Sequence, residues 1–212
     1  MHRAFVVAVV LLVPGVSMAQ LEELENPGSV AAIQNRAYRM QHELALSVGV
    51  LPADAFNKGL FAQVSYTAHF TDSFAWMVGR GAYNLVIPTG LREQLQRDFN
   101  ALPTNPDFDA VQFFVGSDLM WSPFYGKLAV LNKSVLHGEA FFLLGATLFK
   151  FTQVFRPGIN WGGGVRLFAS QWVSFRLDVT DDVVLPIGGA ATGILNVVAI
   201  NLSLAINFGG TE

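Results

Sequence analysis

Apolar and polar residues alternate with a period of two over most of this chain. Residues 194–208, ILNVVAINLSLAINF, give the clearest case. Val198, Ile200, Leu202, Leu204, Ile206 and Phe208 share one face, and Ala199, Asn201, Ser203, Ala205 and Asn207 share the other. Such a period predicts a β-strand with two unlike sides. One side is continuously greasy. The other carries small groups, amides and a hydroxyl, but no charge. A strand of this kind suits a wall with lipid outside and a narrow polar interior.

The same pattern recurs upstream. Residues 40–50 put Met40, Leu44, Leu46, Val48 and Val50 against Gln41, Glu43, Ala45, Ser47 and Gly49. Residues 60–70 set Leu60, Val64, Tyr66 and Phe70 against Gln63, Ser65, Thr67 and His69. Residues 74–87 form the next strand, with Gly79-Arg80-Gly81 as the place for a bulge. Residues 110–121 set Val111, Phe113, Val115, Leu119 and Trp121 against Gln112, Gly116 and Asp118. Residues 135–151, 159–167, 173–179 and 194–208 complete the set. Segment 124–133 follows the Ser122-Pro123 break and reads as a periplasmic excursion or a short pairing piece. Counting it as a full strand gives nine, whereas single-chain bacterial barrels carry an even number. The expected fold is therefore an all-β, eight-stranded antiparallel transmembrane β-barrel of the outer membrane.

Links sort into two kinds. Tight turns fall at 71–73 and 170–171, and the 121–124 segment starts on the same side. Longer links fall at 52–58, 88–109, 153–158 and 181–192, the side that faces out in bacterial barrels. Within the longest, residues 91–99 have helical spacing, with Leu91, Leu95 and Phe99 on one face. That face either caps the barrel mouth or offers a surface for a partner protein. Phe70, Trp76, Trp121, Phe175 and Phe208 lie near the periplasmic strand ends on apolar faces, as an interfacial girdle does.

Composition narrows the choice without deciding it. The chain is 52% hydrophobic and only 14% charged, which fits a barrel or a greasy sandwich. Beyond the first twenty residues no run is long and apolar enough for a membrane helix. The net charge of −3 comes with no basic stripe, so nucleic acid is not an expected partner. There are no cysteines, hence no disulfides, thiolate metal sites or cysteine lipidation. His2 and Arg3, an apolar run at residues 4–13 and Ser17-Met18-Ala19 read as a secretory signal peptide. The expected organisation is a signal at 1–19, a periplasmic lead-in at 20–38, the barrel at 39–208 and a tail at 209–212.

Four blocks resemble one family. They are ENPGSVAAIQNRAYRMQHELALSVGVLPADAFNKG (25–59), SYTAHFTDSFAW (65–76), SPFYGKLAVLNKSVLH (122–137) and GGGVRLFASQWVSFRLDVTD (162–181). In this order they are similar to the outer-membrane β-barrel domain family of myxobacteria and related bacteria. Met77 stands where the resemblance implies an acidic residue after the tryptophan. The resemblance implies an outer-membrane barrel, in some members a part of the gliding-motility machinery.

The remaining chemistry concerns the interior. Eight strands leave room for side chains and no open channel. The interior candidates are Gln41, Glu43, Gln63, His69, Gln112, Asp118, Glu139, Arg166, Arg176 and Asp178. Buried charges must be paired. Arg166 and Arg176 flank one turn and need carboxylates, with Glu43, Glu139 and Asp178 as the available ones. A structural plug is the plain reading, and a proton or ion path is the functional one. Ser134, His137 and Glu139 are close enough to raise a hydrolase triad. On a strand, however, Ser134 takes the face opposite the other two. His42 falls on the lipid-facing row. No metal-ligand spacing occurs, and Gly162-Gly163-Gly164 opens no helix and so is no phosphate loop. The expectation is a non-enzymatic barrel without cofactor or metal. Its partners would be outer-membrane lipid, the outer-membrane assembly machinery reading the Leu204–Ile206–Phe208 end, and envelope or motility proteins. A narrow pore and a lipid A-modifying enzyme are the alternatives.

Overall fold

A computed structural model describes residues 38–52, 57–91, 94, 97–98, 110–130, 134–152, 154–186 and 193–210. The expected signal peptide, most of the lead-in and the last two tail residues lie outside these. Eight strands close into one barrel in sequence order: β1 His42–Leu51, β2 Asn57–His69, β3 Phe74–Pro88, β4 Val111–Val130, β5 Ser134–Phe151, β6 Phe155–Phe168, β7 Val173–Val184 and β8 Leu195–Phe208. Every neighbouring pair is antiparallel, and β1 pairs β8 to close the wall. The fold is the expected eight-stranded antiparallel β-barrel. No helix among the described residues is long and apolar enough to cross a membrane.

Alternation decides which side chain faces where. Along β1, Leu44, Leu46, Val48 and Val50 are exposed while Glu43, Ala45 and Ser47 are buried. Along β8, Ile200, Leu202, Leu204, Ile206 and Phe208 face out, and Ala199, Asn201, Ser203, Ala205 and Asn207 face in. The exposed wall is thus apolar all round, which water would penalise and hydrocarbon welcomes. Closure also leaves no unpaired sheet edge within the wall.

Local chemistry sets the turns. Thr71 Oγ1 accepts the Phe74 N–H at 2.9 Å, and Ser170 Oγ accepts the Val173 N–H at 3.1 Å. Short hydroxyl side chains do this readily. These tight turns share one rim with residues 38–40 and 209–210, and that rim is periplasmic in bacterial barrels. At the other rim Gly90, at φ +76°, precedes helical backbone at Leu91, Gln94, Arg97 and Asp98, and Gln94 N–H donates to Gly90 O at 3.1 Å.

Several boundaries differ from the sequence reading. Of the two readings of segment 124–133, the pairing one holds for residues 124–130, and residues 131–133 lie outside the described ones. β4 runs on through Val130 and stays paired with β5, from Phe124↔Ala140 to Val130↔Ser134. A register shift between Trp121 and Phe124 absorbs the Ser122-Pro123 break. β6 begins at Phe155 and β7 reaches Val184, so much of the links expected at 153–158 and 181–192 is strand. The wall lengthens there because Arg156 and Asp182 point inward and extend the alternation.

Candidate functional site in the barrel interior

Interior side chains come from every strand, and they form layers. Nearest the rim that carries the tight turns, Tyr38 packs edge-on against His137 (5.1 Å between centroids) and tilted against Phe168 (5.5 Å). Tyr125 lies beside both. Four rings thus crowd this mouth.

Above them sits a charge cluster. Glu43 from β1 accepts from Arg166 Nη2 at 2.5 Å and from Arg176 Nη1 at 2.6 Å, one guanidinium on each oxygen. Arg166 also pairs with Glu139, and Arg176 reaches Asp178 at 3.4 Å. His69 Nε2 lies 3.6 Å from Glu43 Oε2. Both guanidinium groups also lie over the Phe141 ring, at 5.7 and 5.3 Å. Arg166 and Arg176 are directly cross-strand partners. Side by side they would repel. Glu43, reaching across the lumen, turns that repulsion into a bridge.

A second cluster lies farther out. Arg80 Nε is 2.9 Å from Asp118 Oδ2, and Arg80 Nη2 donates to Thr147 at 2.6 Å with Asp182 Oδ1 at 3.4 Å. Asn160 Nδ2 donates to Asp118 Oδ1 at 2.6 Å. Asp178 joins the inner cluster and takes Asn201 Nδ2 at 3.3 Å. Over this sits an apolar layer of Leu51, Phe61, Phe114, Phe149, Phe151, Val184 and Val197. Phe114 stands between Phe61 and Phe149, each 5.4 Å away. Arg156 crowns the layer, over Phe151, with Nη2 bonded to Gly193 O at 2.7 Å. Among the described residues four buried arginines meet five buried carboxylates. Isolated, any of them would be costly; paired and hydrogen-bonded they fill the bore.

The structure places the sequence candidates as follows. Glu43, His69, Glu139, Arg166, Arg176 and Asp178 come together, Asp118 belongs to the outer cluster, and Gln63 is buried near both. Gln112 does not join them. It is exposed, because a register shift between Val111 and Phe113 inserts an extra residue and turns Val111 inward instead. Gln41 is exposed at the rim, where its carbonyl accepts the His69 N–H at 2.7 Å. Arg80, Arg156, Asn160 and Asp182 belong to the interior but are missing from the sequence list. Arg80 was hidden by parity. A bulge after Met77 moves the inward series from Ala75 and Met77 to Arg80, Ala82 and Asn84. The glycines on either side of Arg80 were the available signal. Met77, placed where an acid was implied, is buried in an apolar patch with Met120, Phe141 and Leu143.

Outside, Phe70, Trp76, Trp121, Phe175 and Phe208 are all exposed, and Trp121 stacks between Phe74 and Phe142. Trp76 Nε1 donates to Ser117 Oγ at 2.9 Å. Tyr66 Oη and His42 Nδ1 share a 2.9 Å hydrogen bond beside Phe208. Leu91 is half-buried, while Leu95 and Phe99 lie outside the described residues. Glu139 is engaged with Arg166, and His137 with aromatic rings. Among the described residues no group of three acidic or histidine side chains could hold a metal ion.

No family model and no curated protein matches the chain. Solved structures similar to it include the N-terminal β-barrel domain of Pseudomonas aeruginosa OprF, at 9% identity and TM-score 0.45 over 80% of this chain and 100% of that one. Neisserial surface protein A has 13% identity and TM-score 0.34, over 78% of this chain and 92% of that one. A major outer membrane protein from Thermus thermophilus has 10% identity and TM-score 0.37, over 79% of this chain and 99% of that one.

Proposed function

We propose that this protein is a non-enzymatic, non-conducting barrel of the Gram-negative outer membrane that serves as a scaffold or docking component of an envelope assembly. One observation carries the reading: among the described residues, rings, ion pairs and an apolar layer occupy successive levels of the bore. The cavity between the two charge clusters measures only about 10 Å3. An ion crossing would have to break buried pairs and then pass the Phe61–Phe114–Phe149 layer. Eight strands give just enough interior for such filling. What remains for contact is the wall, the two rims and the long outer loop.

Planar-bilayer recording on the purified mature barrel tests this. Silence supports a scaffold, whereas steady stepwise currents support the narrow-pore alternative. The lipid-modifying alternative needs a free carboxylate beside His137, and Glu139 is held by Arg166. Unchanged lipid A profiles in Ser134→Ala and His137→Ala variants would remove it. Membership of the gliding-motility apparatus is the finer reading, and its support is the four-block resemblance. Capture from detergent-solubilised envelopes tests it: recovery of motility-complex proteins supports it, and their absence counts against it.

A further inference from the structure

The inner cluster ends at Asp178 and Asn201, and the outer one begins at Arg80 and Asp118. None of the ion pairs and hydrogen bonds described above crosses between these pairs. Between them lies the cavity of about 10 Å3, lined among others by Gln63, Arg80, Asp118, Asp178, Thr180 and Asn201. Polar groups enter it from both clusters, and Phe61, Met77, Leu143 and Ala199 complete the lining. Asn201 gives its Nδ2 to Asp178, and its carbonyl Oδ1 is buried without a hydrogen bond from the protein. Asp118 Oδ2 lies 2.9 Å from Arg80 Nε and, as a carboxylate oxygen, has a second lone pair to offer a donor.

Buried acceptors left unsatisfied are costly. A polar cavity of roughly 10–15 Å3 holds one water when two to four partners line it. We propose that one ordered water occupies this cavity and donates to Asn201 Oδ1 and Asp118 Oδ2, joining the two charge clusters into one network. The guanidinium of Arg80 in the wall disfavours a cation there, and the two aspartates disfavour an anion. The joined network runs from His69 near the periplasmic rim to Asp182 and Thr147. It stops beneath the Phe61–Phe114–Phe149 layer.

A crystal structure of the mature barrel at better than about 2 Å tests the site. The expected result is one density peak within hydrogen-bonding distance of Asn201 Oδ1 and Asp118 Oδ2. No peak, or an ion with metal–ligand distances, overturns the proposal. A second measurement reads the coupling. In the heat-modified gel shift, Asp118→Asn and Asp178→Asn should be non-additive in the wild-type background, as groups in one network are. They should become additive when Ala199→Leu fills the cavity, since Ala199 lines it. Additivity already in the wild-type background overturns the proposal, and that arm holds even where Ala199→Leu fails to fold.

Discussion

The two halves of the interior are filled by opposite chemistries. Toward the periplasmic rim, Glu43, Arg166, Arg176 and Glu139 form an ion cluster whose members are all but fully buried. Toward the outer rim, Phe61, Phe114, Phe149 and Phe151 pack as an ordinary apolar core. The apolar half needs only volume and shape, and it tolerates swaps of similar size. The charged half needs each partner in place, because a lone buried charge is far more costly than a lost methyl group. The outer half therefore serves as the seal. The inner half ties β1 to β6 and β7, and β6 to β5, through ion pairs.

The largest effect should come from Glu43→Leu. It removes the carboxylate two arginines share, leaving Arg166 with Glu139 and Arg176 with the longer Asp178 contact, so a loss of about 3 kcal/mol is expected. The heat-modified gel shift should then show little folded barrel at temperatures where the parent stays folded. Arg176→Leu comes next. It leaves Asp178 and one Glu43 oxygen uncompensated, and the gel-shift temperature should fall by less than for Glu43→Leu. In the apolar half, Phe114→Ala should cost about 3 kcal/mol. Its added signature is entry of solvent from the outer rim, read as faster amide exchange at Arg80 and Thr147. An unchanged exchange rate there would break the assignment of this layer as the seal. The smallest effect should be Gln112→Leu, within about 0.5 kcal/mol, since this side chain faces outward. A large loss there would restore it to the interior.

Much of this was legible beforehand. Hydrocarbon outside forces every second residue to be apolar, so β1, β2, β7 and β8 showed themselves by alternation alone. The Glu43, Glu139 and Asp178 partners for the paired arginines also followed, because two buried cations on adjacent strands must find carboxylates. What failed did so for two physical reasons. A bulge adds a residue without changing composition, and it inverts parity beyond it. That inversion concealed Arg80, misplaced Gln112, and made the continuation of β4 past Ser122-Pro123 look like a break. Arg156 and Asp182 were lost because charged residues near loops resemble loop residues until the bore around them is known.

One feature of the ion cluster bears on how the chain reaches this state. Glu43 lies 123 residues before Arg166 and 133 before Arg176. The first strand must thus wait for the sixth and seventh before its carboxylate is neutralised. Any intermediate lacking the late strands carries raw charge on surfaces meant to be enclosed, and bilayer insertion of such a fragment is opposed. Long-range contacts of this kind are slow to form. They make curling shut and entering the membrane a single concerted act, and the lock at its centre engages only once all the staves of the cask are standing.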